Sequence, residues 1–183
     1  NSETAPAGPL APPPEGQGFQ LSLEYEDPPG EETWICEVKA MPNVGIANVN
    51  RVESEQTDGT HHLTLSTLSL SGSSNLEYGI YDCNELYGDS SLMENQTQFY
   101  GNAGDTYHEM QFPKGIAAPV PGGLDVIHEM HFVNTTKEPI QIESRLNAWT
   151  IEQSEVEAGM FGGNVRDETI SIPPKSEHTE WSR

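Results

Sequence analysis

Apolar and polar side chains alternate with a period of two along most of this chain, and no long segment shows the 3.6-residue period of a helix. Side chains of a strand point to opposite faces in turn, so such runs bury one face and wet the other. The clearest are Phe19–Leu23, Thr33–Ala40, Asn48–Glu53, His62–Leu70, Asp125–Val133 and Ile140–Trp149, with Glu168–Ile172 and a closing run His178–Trp181. Turn residues punctuate them at Thr57–Thr60, Ser71–Ser74, Pro113–Gly115 and Pro119–Gly123. Residues 75 to 112 are irregular and polar, and read as loops and short strands. About eight to ten strands at this spacing predict an all-β protein, an antiparallel β-sandwich or jelly roll. The chain has 183 residues, enough for one domain with a core and too few for two.

That domain is expected over residues 19–183. Residues 1–18 hold five prolines, three glycines and no aromatic. Such a composition has little apolar area to bury and reads as a disordered tether. The sequence starts at Asn1 and shows no signal peptide, and the expectation is either that a signal was removed or that the ends were cut. A Pro-rich tether before such a domain suits an exported or lipid-anchored protein, and the expected location is extracytoplasmic: secreted, periplasmic or cell-surface. Any lipid anchor would lie upstream of residue 1. No apolar run approaches the roughly 20 residues of a membrane helix.

Formal net charge is −21, from 29 acidic and 8 basic residues. A field of that sign repels nucleic acid and concentrates cations. The same charge serves solubility. Two cysteines, Cys36 and Cys83, form an even count that suggests one disulfide, and two buried free thiols are the competing reading. Their spacing fits no CxxC metal site.

Two of the six histidines, His61 and His62, are adjacent at the head of a strand-like run. In an ideal strand they would face opposite ways. At a strand end a bulge can re-aim one of them, and Gly59-Thr60 supplies an irregularity. Alternatively one ring binds through Nδ1 and the other through Nε2. A metal there needs a third ligand from a neighbouring strand, and His131 is the candidate. His128 is three residues from His131 and faces the other side, whereas Glu129 shares the face of His131 and becomes an outer ligand or a partner to one. Met130 alternates with His131 and reads as core. Three imidazoles with open positions suit one copper ion, or less well zinc. His108 and Met110 are further candidates for a softer copper site. Hydrogen-bonded imidazoles without a metal are the plainer reading of the pair. His178 reads as surface.

Other chemistries find no footing. No Gly-x-Ser-x-Gly, phosphate-binding loop or dinucleotide fingerprint is present. Cys36 lies in an apolar strand and is a poor nucleophile. The carboxylates are scattered, with no pair to nominate for glycoside hydrolysis. No residue is assigned a catalytic role. Asn95-Gln96-Thr97 and Asn134-Thr135-Thr136 are glycosylation sequons only in a eukaryotic source.

Seven short motifs, in order, resemble those of a known family: Thr33-Trp34-Ile35-Cys36, Thr60-His61-His62-Leu63, Tyr81-Asp82-Cys83, Pro113-Lys114-Gly115-Ile116, Glu129-Met130-His131-Phe132, Ala158-Gly159-Met160-Phe161 and Ile172-Pro173-Pro174. The pattern is similar to the N-terminal copper domain of the copper type II, ascorbate-dependent monooxygenases, the peptidylglycine α-hydroxylating and dopamine β-monooxygenases. It covers roughly residues 19 to 181. The resemblance implies a β-sandwich with one copper on His61, His62 and His131, and a disulfide between Cys36 and Cys83. It departs in four ways. The sequence stops at Arg183, where the family's second copper domain would begin. His178-Thr179-Glu180 is not that domain's His-x-His. Leu63 stands where relatives often carry Met, and the family's other N-domain cysteines are absent.

The resulting expectation is an electron-supplying domain cycling between Cu(II) and Cu(I). Its partner would be a small reductant or a redox protein. Whether it is an enzyme stays open, because the second copper domain is lacking. The acidic surface would disfavour an anionic reductant such as ascorbate. Copper sequestration or delivery without turnover, a metal-free adhesion or scaffold sandwich, and a fragment of a two-domain enzyme are the alternatives.

Overall fold

The computed structural model describes residues 9–67, 76–88, 92, 96–162 and 174–175. Within these it is an all-β sandwich of eleven strands, slightly more than the eight to ten expected. The strands are β1 (Gly18–Asp27), β2 (Glu32–Ala40), β3 (Ile46–Gln56), β4 (Thr60–Thr67), β5 (Gly79–Asp82), β6 (Thr97–Ala103), β7 (Tyr107–Gln111), β8 (Ile116–Pro121), β9 (Asp125–Val133), β10 (Ile140–Ile151) and β11 (Ala158–Gly159). A one-turn helix, α1 (Cys83–Leu86), follows β5. One sheet runs β1-β10-β3-β8-β11, with β7 also paired to β3; the other runs β5-β2-β9-β4-β6. Every pairing is antiparallel except the short β11–β8 contact. The runs expected at Glu168–Ile172 and His178–Trp181 lie outside the described residues, as do residues 68–70 of the His62–Leu70 run, and His178.

The period-two pattern explains the core. Leu63 and Leu65 of β4 and Val126, Met130 and Phe132 of β9 point inward from the five-stranded sheet. Leu21, Leu23, Val52, Ile142 and Leu146 meet them from the six-stranded sheet. Full burial of each such side chain stabilises by about 1.5–3 kcal/mol. The core falls into two apolar clusters. Between them in strand order sit His128 of β9 and Ser144 of β10, whose Oγ lies 2.9 Å from His128 Nε2.

A second apolar layer covers part of the outer face of the five-stranded sheet. Cys36, Val38 and Ile127 of that face pack under Leu86 and Tyr87. The Cys36–Cys83 disulfide clamps β2 to the start of α1, with 5.2 Å between the Cα atoms and 47 residues between the two in sequence. Closing a loop of that length in the unfolded chain is worth about 4 kcal/mol. Asp82 caps α1 by accepting from Asn84 N–H at 2.7 Å.

Two expectations need correction. The disordered tether assigned to residues 1–18 is, over residues 9–17, laid along the outer face of the six-stranded sheet. Leu10 is only 5% exposed. Gln20 Nε2 donates to Leu10 O at 2.9 Å, Asn147 Nδ2 to Ala11 O at 2.8 Å, and Thr150 N–H to Gln17 O at 3.0 Å. A segment too poor in apolar residues to build a core can still dock on a polar sheet face through its carbonyls. Residues 1–8 lie outside the described residues. Pro119–Pro121, expected in a turn, end β8 instead, and the turn begins at Gly122. Met160 N–H donates to Ala117 O, so the main-chain groups of residues 117, 119 and 121 face the edge away from β3. Proline's missing N–H costs no ladder bond there.

Candidate metal centre

The site begins in the turn before β4. Thr60 N–H donates to Thr57 O at 3.0 Å, and the Thr60 hydroxyl to the same oxygen at 2.6 Å. Gly59 takes φ +89°, a conformation that side chains disfavour. The chain then enters β4 with an irregularity. Thr60 pairs with Phe132 and His62 with His131, so two steps on β4 oppose one on β9 and His61 is the extra residue. This is a bulge, and it does what the alternating pattern alone forbids. His61, next to outward-facing His62, is re-aimed onto the same outer face.

Three rings meet there. The His61–His131 centroids are 5.0 Å apart, and His61–His62 and His62–His131 are each 5.2 Å, all edge to face. One ring nitrogen from each residue falls within 4.8 Å of the other two. His61 Nδ1 and His131 Nδ1 approach to 3.1 Å. His61 is exposed, and His62 and His131 are half-buried.

Carboxylates hold the opposite side of two of these rings. His62 Nε2 lies 2.8 Å from Glu129 Oε1, and His131 Nε2 lies 2.9 Å from Glu32 Oε1. A carboxylate only accepts, so each ring points an N–H at its carboxylate from Nε2 and turns Nδ1 to the other side, where the neutral ring offers a lone pair. Glu129 is itself fixed, taking a 3.0 Å hydrogen bond from the Tyr87 hydroxyl on Oε2. Burial would raise the Glu129 carboxyl, but contacts from His62, Trp34 and Tyr87 outweigh it and hold the group below the ordinary carboxylate range. Trp34 floors the site, its ring 6.3 Å from His131 and 5.6 Å from Tyr87. Its indole N–H is buried without a well-formed hydrogen bond.

His61, His62 and His131 therefore converge, and Glu129 stands behind His62. His128 faces the interior, fully buried, where burial and then the charge of Lys39 push its pKa down to about 3. Met130 is fully buried core. His108 and Met110 do not join the site. Both lie on β7, which pairs β3 in the opposite sheet. His108 Nδ1 is 3.1 Å from the Tyr100 hydroxyl, and Met110 packs on the interior cluster. Glu32, Trp34 and Tyr87 carry roles that sequence reasoning had not assigned. Pairing β2 against β9 would have found Trp34, which sits opposite His131, and Glu32 two residues before it on the same face. Tyr87 comes in through α1, whose local cue, Asp82 as a capping residue, does not say against what Tyr87 will pack.

Cys36, Cys83 and Glu129 also lie close together, but the two sulfurs are joined in the disulfide. Compared with protein-family models and with curated proteins, the chain matches none.

Proposed function

We propose that His61, His62 and His131 hold one copper ion, and that the domain supplies electrons one at a time as the resembling monooxygenase domains do. The observation that carries this reading is the 3.1 Å separation of His61 Nδ1 and His131 Nδ1, with two of the three rings braced by carboxylates. Two nitrogens at about 2.0 Å from one ion, spanning an angle of roughly 90–109°, stand about 2.8–3.3 Å apart. In the metal-free protein a proton shared between the two rings spans the same distance. Backing of a ligand imidazole by a carboxylate is the usual arrangement in metal sites. Copper held there would supply one-electron Cu(II)/Cu(I) chemistry. The protein's own part is to hold the proton of His62 and His131 on Nε2, so that Nδ1 of each can serve as the ligand atom. Zinc suits the same donors less well for this purpose, since it has no redox chemistry.

The test is to titrate the metal-free protein with Cu(II) and record its paramagnetic spectrum. One ion per chain with splitting from three nitrogens is expected. An unchanged spectrum in His131→Ala would remove that residue from the site.

Copper sequestration or delivery without turnover is the second reading, favoured by the net charge of −21, which draws cations and repels anionic reductants. Mixing the Cu(II) form with ascorbate at increasing salt separates the two. Reduction that accelerates as salt screens the charge supports electron transfer, and no reduction at any salt supports sequestration. The disulfide is consistent with an oxidising compartment, and we place the protein outside the cytoplasm on that ground.

A further inference from the structure

At the end of the sandwich away from the histidines, the two sheets enclose a cavity of about 210 Å³. Leu65, Met110, Val120, Leu124 and Leu146 are among its walls, and no charged side chain among the described residues lines it. Of its three polar side chains, Thr67, Thr97 and Tyr100, two are turned to the protein: the Tyr100 hydroxyl donates to Ser54 Oγ at 2.7 Å, and the Thr67 hydroxyl to Asp125 O at 3.1 Å. The cavity is not sealed. Phe99, Met160 and Phe161 line it and are also exposed, Phe161 to 83%. Large apolar side chains kept in water around a hydrocarbon-lined hollow mark a binding mouth.

We infer that this cavity binds a small uncharged apolar molecule, a single ring or a single hydrocarbon chain. A dry apolar cavity of about 150 Å³ suffices to take up benzene. Water gains little inside, because the polar atoms named above already have protein partners. An anionic head group finds no cation among the described wall residues and meets a protein of net charge −21. A neutral head group at the mouth costs least. The inference does not depend on a metal at the other end.

The five methionines provide the reporters. Met41, Met110 and Met160 line the cavity, Met130 is buried in the cluster nearer the histidines, and Met93 lies outside the described residues. With methyl-labelled methionine in the full chain, n-alkanols from hexanol to decanol are titrated by NMR, alongside alkanoates of equal length. Saturable shifts at Met41, Met110 and Met160, with Met130 unmoved, are expected. Affinity should tighten about fourfold per added methylene until the space is filled. Alkanoates should bind about tenfold or more weakly. Ala118→Leu, which fills part of the space, should lower affinity at least tenfold; should it fail to fold, the wild-type methyl pattern decides alone. Absence of saturation, equal affinity for alkanoates, shifts at Met130 instead, or unchanged binding by a folded Ala118→Leu overturns the inference. So does a concentration-dependent dimer that excludes the alkanols, because it assigns the rim to a second copy.

Discussion

Where β4 begins and β9 ends, directed polar contacts hold most side chains of the candidate metal centre: His62 to Glu129, Glu129 to Tyr87, and His131 to Glu32. Where β4 ends and β9 begins, the directed contacts of Thr67 and Tyr100 turn away from the hollow, and apolar walls stand apart around it. The same two strands serve both ends. At the first end a bulge breaks the alternation and brings a third imidazole to the outer face. At the second β4 and β9 stay in register, with the irregularity on β6 at Phe99; inward side chains do not fill the gap, and the space goes inward. The contrast teaches that a sandwich can gain a polar site on its outer face by disturbing register, and an apolar one inside by underpacking. Neither disturbs the other, because His128 and Ser144 and the core around them lie between.

The largest expected effect tests that divide. His128 is neutral when folded, with a pKa near 3 against an ordinary 6.5. Its folded-state pKa is depressed, so protons bind the unfolded chain first. Stability is therefore lost as pH falls from about 6.5 toward 3, at roughly 1.4 kcal/mol per pH unit and on the order of 5 kcal/mol in all. Urea titrations across that window should show this slope for wild type and a shallower one for His128→Gln. Equal slopes would mean that His128 does not control acid stability.

Next comes the outer layer, which reaches the histidine end through Tyr87. Replacing Cys36 and Cys83 by serine together should cost about 4 kcal/mol. By freeing α1 it should also loosen Tyr87 and weaken copper binding, while the methionine shifts of the cavity persist in the protein that remains folded. Equal damage at both ends would erase the distinction between them.

His131→Ala should reduce copper affinity by about 100-fold or more, beyond the range seen for residues behind a ligand. Apo stability should move little, since the ring is half-buried. Copper titration by calorimetry with thermal unfolding of the same sample measures both. Glu129→Gln is milder, with a loss of about 10- to 100-fold in copper affinity. Tyr87→Phe should be weaker still. If Tyr87→Phe matches Glu129→Gln, the hydroxyl acts on the metal site by a route other than the carboxylate.

Much of the histidine end was legible before any coordinates. Alternation puts His131 and Glu129 on one face and His128 and Met130 on the other, and the structure keeps that division. The glycine before the His pair signals a break in regularity, and the break is there. The illegible parts all depend on which strand lies beside which. His108 and Met110 alternate like any strand pair, but nothing in that run says that β7 joins β3. The hollow leaves no mark either, because Leu65, Met110 and Val120 would look the same in a filled core. Leu10 was hidden by its neighbours: a proline-rich stretch reads as loose until the carbonyl acceptors it offers find Gln20 and Asn147.

The extra residue at the head of β4 also separates what holds the protein together from what it can bind. Thr60 and Leu63 keep their places facing β9 whether or not a residue is inserted between them. Losing the single codon for His61 would restore a regular strand, leave the inward leucines in phase, and reduce three imidazoles to two. A lineage could drop or regain this site in one genetic step without reinventing its scaffold.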